Sequence, residues 1–217
     1  NNPLISVDNI YGGNNKGGST NDSTVDVRGG TIGNIYGGGN EAVVDMPNVQ
    51  VQNATVNNIY GGGNMAGING DTKVTIKNSN INTNIYGGGN YGTVAGNTKV
   101  VITSSTILGS AYGGGNGSSA IVDRNTEITV EGNTVIGSTT SKAPHQGCLF
   151  GGGNAAATGC DKEFTSSLEL VSCDNVNQAY SYVNVAGASI LGNVYGGANT
   201  SVVYGETFVN IGIDTLD

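Results

Sequence analysis

A single short motif recurs along the whole chain and limits what it can fold into more than any other feature. Each copy has an apolar residue, an aromatic residue, a run of glycines and then Asn, as in residues 34–40 (Asn-Ile-Tyr-Gly-Gly-Gly-Asn). The steps between successive aromatic residues are 25, 24, 26, 26, 38 and 45 residues. A period in the twenties, with two longer steps, is typical of a solenoid, a propeller or a similar array. The aromatic residues of the seven copies are Tyr11, Tyr36, Tyr60, Tyr86, Tyr112, Phe150 and Tyr195.

Short alternating runs of β-branched residues precede the motif and identify the type of repeat. Examples are Val25-Asp26-Val27 and Val74-Thr75-Ile76, each followed by turn-forming residues. Alternation with a period of two predicts strand. The Leu-rich frame of a leucine-rich repeat is missing, and a propeller blade needs about 40 residues and four strands. The sequence therefore predicts an all-β fold, a single-stranded parallel β-helix (β-solenoid) with about seven coils of 24–26 residues.

The two long steps predict insertions in the C-terminal half of one domain. We expect this single β-solenoid domain to cover residues 1–217, with insertions at about 138–147 and 155–181. The 38 glycines then have a structural reason, because many of them lie in the seven motif copies. Collagen is excluded by the presence of only three prolines and by the absence of a three-residue glycine period.

Stacking of equivalent positions at about 4.8 Å gives each motif residue an expected role. The glycines are predicted to turn a tight corner with positive φ, where a Cβ atom would clash. The Asn that follows is predicted to tolerate left-handed geometry and to form a hydrogen-bonded ladder between coils. The ladder residues are Asn40, Asn64, Asn90, Asn116, Asn154 and Asn199. The apolar residues before the aromatics are predicted to form an interior column of Ile10, Ile35, Ile59, Ile85, Ala111, Leu149 and Val194. The pattern also places an apolar residue three or four positions earlier, such as Ile81 before Ile85 and Leu108 before Ala111.

The aromatic column has two interpretations. Strict alternation from the inward Ile turns the tyrosines outward, where Tyr36, Tyr60, Tyr86 and Tyr112 could hold a sugar or a partner protein. Alternatively, the rings stack on one another and cover the glycine corner. The second interpretation is favoured because an aromatic residue stands in every coil, whereas a binding site would be local.

The cysteines and the only histidine all fall in or beside the predicted insertions. His145, Cys148, Cys160 and Cys173 could in principle form a Cys3His zinc site, but the usual second Cys-x2-Cys is missing. We instead predict a disulfide between Cys160 and Cys173, or unpaired thiols, with Cys148 as a small buried residue beside Leu149. No metal and no cofactor are predicted.

No catalytic pattern emerges elsewhere. The glycine runs lack the Lys and Ser or Thr of a phosphate loop, and the acidic residues are scattered over different turns. A net charge of −8 with only eight Lys and Arg residues disfavours nucleic-acid binding. No transmembrane run or signal peptide is found, so membrane insertion is not expected, and the chain is interpreted as a mature product or a fragment of a longer array.

The motif Asn-(Ile/Val)-(Tyr/Phe)-Gly-Gly-Gly-Asn, with a Val-x-Val strand before it and Asn/Asp-Thr-x-Val after it, resembles repeats in large cell-surface proteins of gut anaerobic bacteria. The resemblance covers nearly the whole chain, apart from the insertions and Ala198, which replaces a third glycine. It implies an extracellular or cell-surface location and adhesin-like contact with glycans or with a host or bacterial surface. It implies no site residues.

These observations predict a non-enzymatic surface protein, either an adhesin-like structural rod or a fibre-forming subunit. Open coil edges would support end-to-end self-association in the second case. The alternative is a polysaccharide-binding module that uses the Tyr column and an insertion. A less favoured alternative is a β-helix polysaccharide-degrading enzyme or a phage tail-type depolymerase.

Overall fold

The computed structural model describes residues 5–140, 146–161, 175–176 and 179–212. Within these residues every regular element is a β-strand, and nearly all strand pairs are parallel. Each coil pairs with the coil before it and the coil after it, at the same positions of the repeat. The predicted parallel β-solenoid of about seven coils is confirmed.

One strand in every coil has six to twelve residues. The other strands have six residues in the first three coils and only two residues in the later coils. In chain order they are β1 (Ser6–Tyr11), β2 (Lys16–Val27), β3 (Thr31–Tyr36), β4 (Glu41–Gln52), β5 (Thr55–Tyr60), β6 (Thr72–Lys77), β7 (Asn80–Ile81), β8 (Ile85–Tyr86), β9 (Thr98–Thr103), β10 (Thr106–Ile107), β11 (Ala111–Tyr112), β12 (Thr126–Glu131), β13 (Val135–Ile136), β14 (Leu149–Phe150), β15 (Cys160–Asp161), β16 (Asn175–Val176), β17 (Ala179–Ala186), β18 (Ser189–Ile190), β19 (Val194–Tyr195) and β20 (Gly205–Ile211).

Two long parallel sheets form the walls of the solenoid. One has the order β2-β4-β6-β9-β12-β17-β20, and the other contains β1, β3 and β5 followed by the short strands of later coils. A third wall is made of single bridges that run from Val44 through Ile68 and Val94 to Val122 and beyond. The three walls enclose a narrow interior, so that side chains of one coil meet their equivalents in the next.

The interior is filled by columns of equivalent apolar residues. The predicted column is present, because Ile35, Ile59 and Ile85 are fully buried and pair in register. The position three or four residues earlier forms a second column, in which Ile107 pairs with Ile81 and Ile136. The sequence pattern assigned this position to Leu108, which is instead 43% exposed because it is the next residue along the chain and points the other way.

The glycine corners do not use positive φ, contrary to the sequence-based prediction. None of the corner glycines has a positive φ, and residues with left-handed φ lie elsewhere, for example in the turn after the first strand of a coil at Asn53, Asn78 and Ser104. The corner glycines are needed because neighbouring coils approach closely there. A Cβ atom on Gly38 would lie 2.9 Å from both Cα and N of Gly63 in the next coil. Nor do the ladder asparagines adopt left-handed geometry.

The second insertion is shorter than predicted. Thr158 bridges Val122 and Val203 in the third wall, and β17 already pairs with β20 from Ala179 onward. Residues 155–159 and 179–181 therefore belong to the regular coil. Inside the insertion, β15 and β16 form an antiparallel pair. The first insertion leaves the coil after Gly137, whose N–H bonds the Ile107 carbonyl, and returns at Gly147.

Candidate functional site

The aromatic residues of the motif form one continuous stack along the solenoid. Successive ring centroids from Tyr11 to Tyr195 are 4.8–5.0 Å apart, and the ring planes are within 10° of parallel. The spacing is that of neighbouring strands in a sheet, because each ring projects from the same register position of its coil. This is the arrangement expected from the structural interpretation of the column.

The stack closes the ring faces to any ligand. Tyr36, Tyr60, Tyr86 and Tyr112 are only 3–7% exposed, and each has a neighbouring ring on both faces. A sugar that stacks on an aromatic residue needs one free ring face. The predicted use of these four tyrosines as a ligand-binding stripe does not fit this geometry.

Burial also changes the acidity of the stacked hydroxyls. Burial, more than any other effect, raises the pKa of Tyr60 and of Tyr86 well above the usual value of a tyrosine. Electrostatic interaction with neighbouring tyrosines raises both pKa values further. The Asn84 side-chain amide donates a hydrogen bond of 3.1 Å to the Tyr86 hydroxyl and partly opposes the shift. These hydroxyls therefore stay protonated and neutral at physiological pH.

The predicted asparagine ladder runs beside the aromatic stack. Each Nδ2 donates to Oδ1 of the preceding coil, with donor–acceptor distances of 2.8–3.0 Å. The ladder begins at Asn15, one coil earlier than predicted, because Asn15 accepts from Asn40. It continues through Asn64, Asn90, Asn116, Asn154 and Asn199.

A second ladder borders the other side of the stack. Asn58 donates to Asn34 over 3.0 Å, and Asn34 donates to Asn9 over 2.9 Å. Later coils replace this pattern with backbone donors, as where Ser110 N bonds the Asn84 Oδ1. The rings thus lie between two rows of polar groups that hydrogen-bond along the axis.

Side-chain hydroxyls brace four of the described coils from within. At the start of the first strand, Thr72 Oγ1 donates to the Gly87 carbonyl and Thr98 Oγ1 donates to the Gly113 carbonyl, both over 2.6 Å. Ser23 and Ser181 make the equivalent bond over 2.7 Å. Each bond joins the strand to the first corner glycine of the same coil and satisfies a buried carbonyl.

The two described cysteines differ in oxidation state, since one is a free thiol and the other is in a disulfide. Cys148 is free and buried, and it packs with Tyr112 and Phe150 in the aromatic stack rather than in the interior column. Cys160 is disulfide-bonded and fully buried. Its predicted partner Cys173, like His145, lies outside the described residues, so the pairing stays a prediction. Within the described residues, no group of three His, Cys, Asp or Glu side chains is placed to hold a metal ion.

One exposed aromatic residue was not singled out by the sequence analysis. Tyr91 directly follows the ladder residue Asn90 and is 54% exposed, the largest exposure of any tyrosine in the chain. Met65 holds the same register position one coil earlier and is 61% exposed. The available signal was the departure from the repeat, because the other coils carry Lys, Glu, Gly, Ala or Thr at this position.

The fold defines the class to which the chain belongs, the parallel β-solenoids. No family model, no curated protein and no solved structure matches the chain. No helix in the described part of the chain is long and apolar enough to cross a membrane.

Proposed function

We propose that the chain is a structural rod of an extracellular or cell-surface protein, adhesin-like and without enzymatic activity. The observation that carries this proposal is the unbroken continuity of its columns. Interior residues, stacked rings and the asparagine ladder each repeat from coil to coil at one position.

Such a geometry adds length without changing cross-section. Each coil contacts chiefly the neighbouring coils, as in other solenoids. The aromatic stack alone carries six steps of 4.8–5.0 Å, about 29 Å along the axis. A rod of this kind suits the task of holding a binding region away from a surface.

The last described coil supports the fibre-forming version of the proposal. Val209 is 44% and Ile211 is 62% exposed, whereas their equivalents one coil earlier, Val183 and Val185, are buried. A further coil, from the same chain or from a second copy, would bury these side chains and pair the free edge of β20.

The location is tested on cells that produce the protein. Antibodies raised against the folded chain are expected to label intact cells as strongly as permeabilised cells. Labelling only after permeabilisation would overturn the surface assignment.

Analytical ultracentrifugation of the purified chain tests the fibre-forming version, for which the sedimentation coefficient should rise with concentration. A sedimentation coefficient that stays at the monomer value at all concentrations would contradict the fibre-forming version but not the structural rod.

A further inference from the structure

We propose that the exposed face of Tyr91 is a binding site for a neutral glycan. This goes beyond the role of a structural rod, and it moves sugar recognition from the buried aromatic stack to a local site on the neighbouring column. The site consists of Tyr91, Met65, Gly117 and the ladder amides of Asn64 and Asn90.

The ring of Tyr91 has Met65 at the equivalent position of the preceding coil and Gly117, which carries no side chain, at that of the following coil. It lies against Gly117, where an added Cβ atom would lie 3.4 Å from both Cδ1 and Cε1 of Tyr91. Within the described residues this ring stacks on no other aromatic ring, unlike the rings of the motif column. A ring that rests on a glycine and is 54% exposed leaves an aromatic surface open to a ligand.

The backbone of Tyr91 is held in place by two hydrogen bonds. Its N–H donates to the Asn64 carbonyl over 2.8 Å, and Ser119 Oγ donates to its carbonyl over 2.8 Å. The Asn116 N–H bonds the Gly89 carbonyl over 2.9 Å and fixes the next coil beside it. A platform on a rigid wall loses little conformational entropy when a ligand binds.

Polar groups surround the platform. Asn90 uses one Nδ2 hydrogen to bond Asn64 and one Oδ1 lone pair to accept from Asn116, both over 2.9 Å. An amide has two donors and two acceptor lone pairs, so ladder bonding occupies half of its capacity. Burial and neighbouring tyrosines, Tyr91 among them, raise the pKa of Tyr36 and of Tyr60, so the hydroxyls close to the platform are neutral.

This combination matches the chemistry of a sugar. A pyranose presents C–H groups on one face and hydroxyls around its edge, so it requires an apolar ring beside uncharged donors and acceptors. Ligand sites commonly combine aromatic surface with a few fixed polar groups. A nucleic acid is disfavoured by the net charge of −8.

A protein partner fits the surface less well. A stable protein interface buries about 800 Å² on each side around a hydrophobic core. Here the exposed apolar side chains of the column are Tyr91 and Met65, 54% and 61% exposed, and the equivalent positions of the neighbouring coils hold Gly117 on one side and the Lys16–Glu41 ion pair on the other. That area suits one or two sugar units.

The test is binding of the full chain to immobilised oligosaccharides of glucose, galactose, mannose and N-acetylglucosamine, followed by titration with the best ligand in solution. We expect Tyr91→Ala to weaken binding by about tenfold or more, the range of a lost aromatic stacking contact. Tyr91→Phe keeps the ring face and should stay within about threefold of the parent chain. Leu108→Ala removes an equally apolar side chain that is 43% exposed in another column and should not change affinity.

Circular dichroism and thermal unfolding of each variant separate loss of the site from loss of the fold. The proposal is overturned if no oligosaccharide binds, if Tyr91→Ala binds like the parent chain, or if Leu108→Ala weakens binding equally. A deglycosylated protein that binds the parent chain but not Tyr91→Ala would overturn the sugar assignment. None of these outcomes bears on surface labelling, so the rod proposal is tested separately.

Discussion

The glycine corners allow a sharp test of how the coils are held together. Gly88 has an ordinary φ and makes two backbone bonds between coils, from its N–H to the Gly114 carbonyl and from the Gly62 N–H to its own carbonyl, both over 3.1 Å. In Gly88→Ala the new Cβ atom would lie 2.9 Å from Cα and N of Gly115. These are backbone atoms, so no side-chain rotation can relieve the contact.

The size of the effect follows from these distances. A relaxed carbon contact is about 3.5 Å, so the coils must separate by about 0.6 Å at this corner. A bond of 3.1 Å would then lengthen to about 3.7 Å, beyond hydrogen-bonding range. Overpacking costs about 1–3 kcal/mol and a lost hydrogen bond about 0.5–1.5 kcal/mol, which together give about 1.5–4.5 kcal/mol.

The matched control is Gly197→Ala, at the same position of the last corner. Its φ is also ordinary, and an added Cβ atom would meet nothing within 4 Å. Both variants lose the same backbone freedom in the unfolded state. Urea unfolding followed by circular dichroism should give a lower midpoint for Gly88→Ala only. If the two variants unfold within about 0.5 kcal/mol of each other, close approach of the coils is not what requires glycine.

Three further predictions concern the ladder, the interior and the stacked hydroxyls. Asn90→Ala removes two ladder bonds of 2.9 Å and should destabilise the chain by about 1–3 kcal/mol, whereas Asn15→Ala removes one and should cost about half as much in urea unfolding. Equal effects would contradict an additive ladder. Thr158 Oγ1 is buried without a hydrogen-bond partner in the described structure, so Thr158→Val should raise the thermal midpoint and stabilise the fold by about 1 kcal/mol; a lower midpoint would argue against it. Because burial raises the pKa of Tyr60 and Tyr86, the unfolded state releases these protons first as the pH passes the ordinary value of 10.0, and stability should fall above that pH. The double variant Tyr60→Phe with Tyr86→Phe should reduce this slope in pH-dependent urea unfolding, and an unchanged slope would assign the loss to other groups.

The repeat predicted the architecture well because the positions that stack are the positions that recur. Val74, for example, recurs as Val100 one coil later, and the two pair in register in the first sheet. The asparagine ladder was equally readable, since an amide at a constant position can bond only to its own equivalents. Periodicity thus predicts both the pairing and the side chains that meet.

Other features could not be read from periodicity. A run of glycines is compatible with positive φ or with close approach of another chain segment, and only the positions of the coils distinguish the two at Gly38. The choice between Ile107 and Leu108 depended on a register difference of one residue, which reverses the direction of a side chain. Periodicity does not mark Tyr91, because the residue type at its position varies from coil to coil.

The ladders also give the rod a direction. Every amide in the long ladder donates toward the preceding coil, and so do Asn34, Asn58 and Asn82 on the neighbouring columns. Their dipoles therefore add along the axis, as peptide dipoles add along a helix. Bonds in such a chain polarise one another, so each additional coil strengthens those already present. The two ends of the solenoid are consequently electrically distinct, with donors directed toward one and acceptors toward the other.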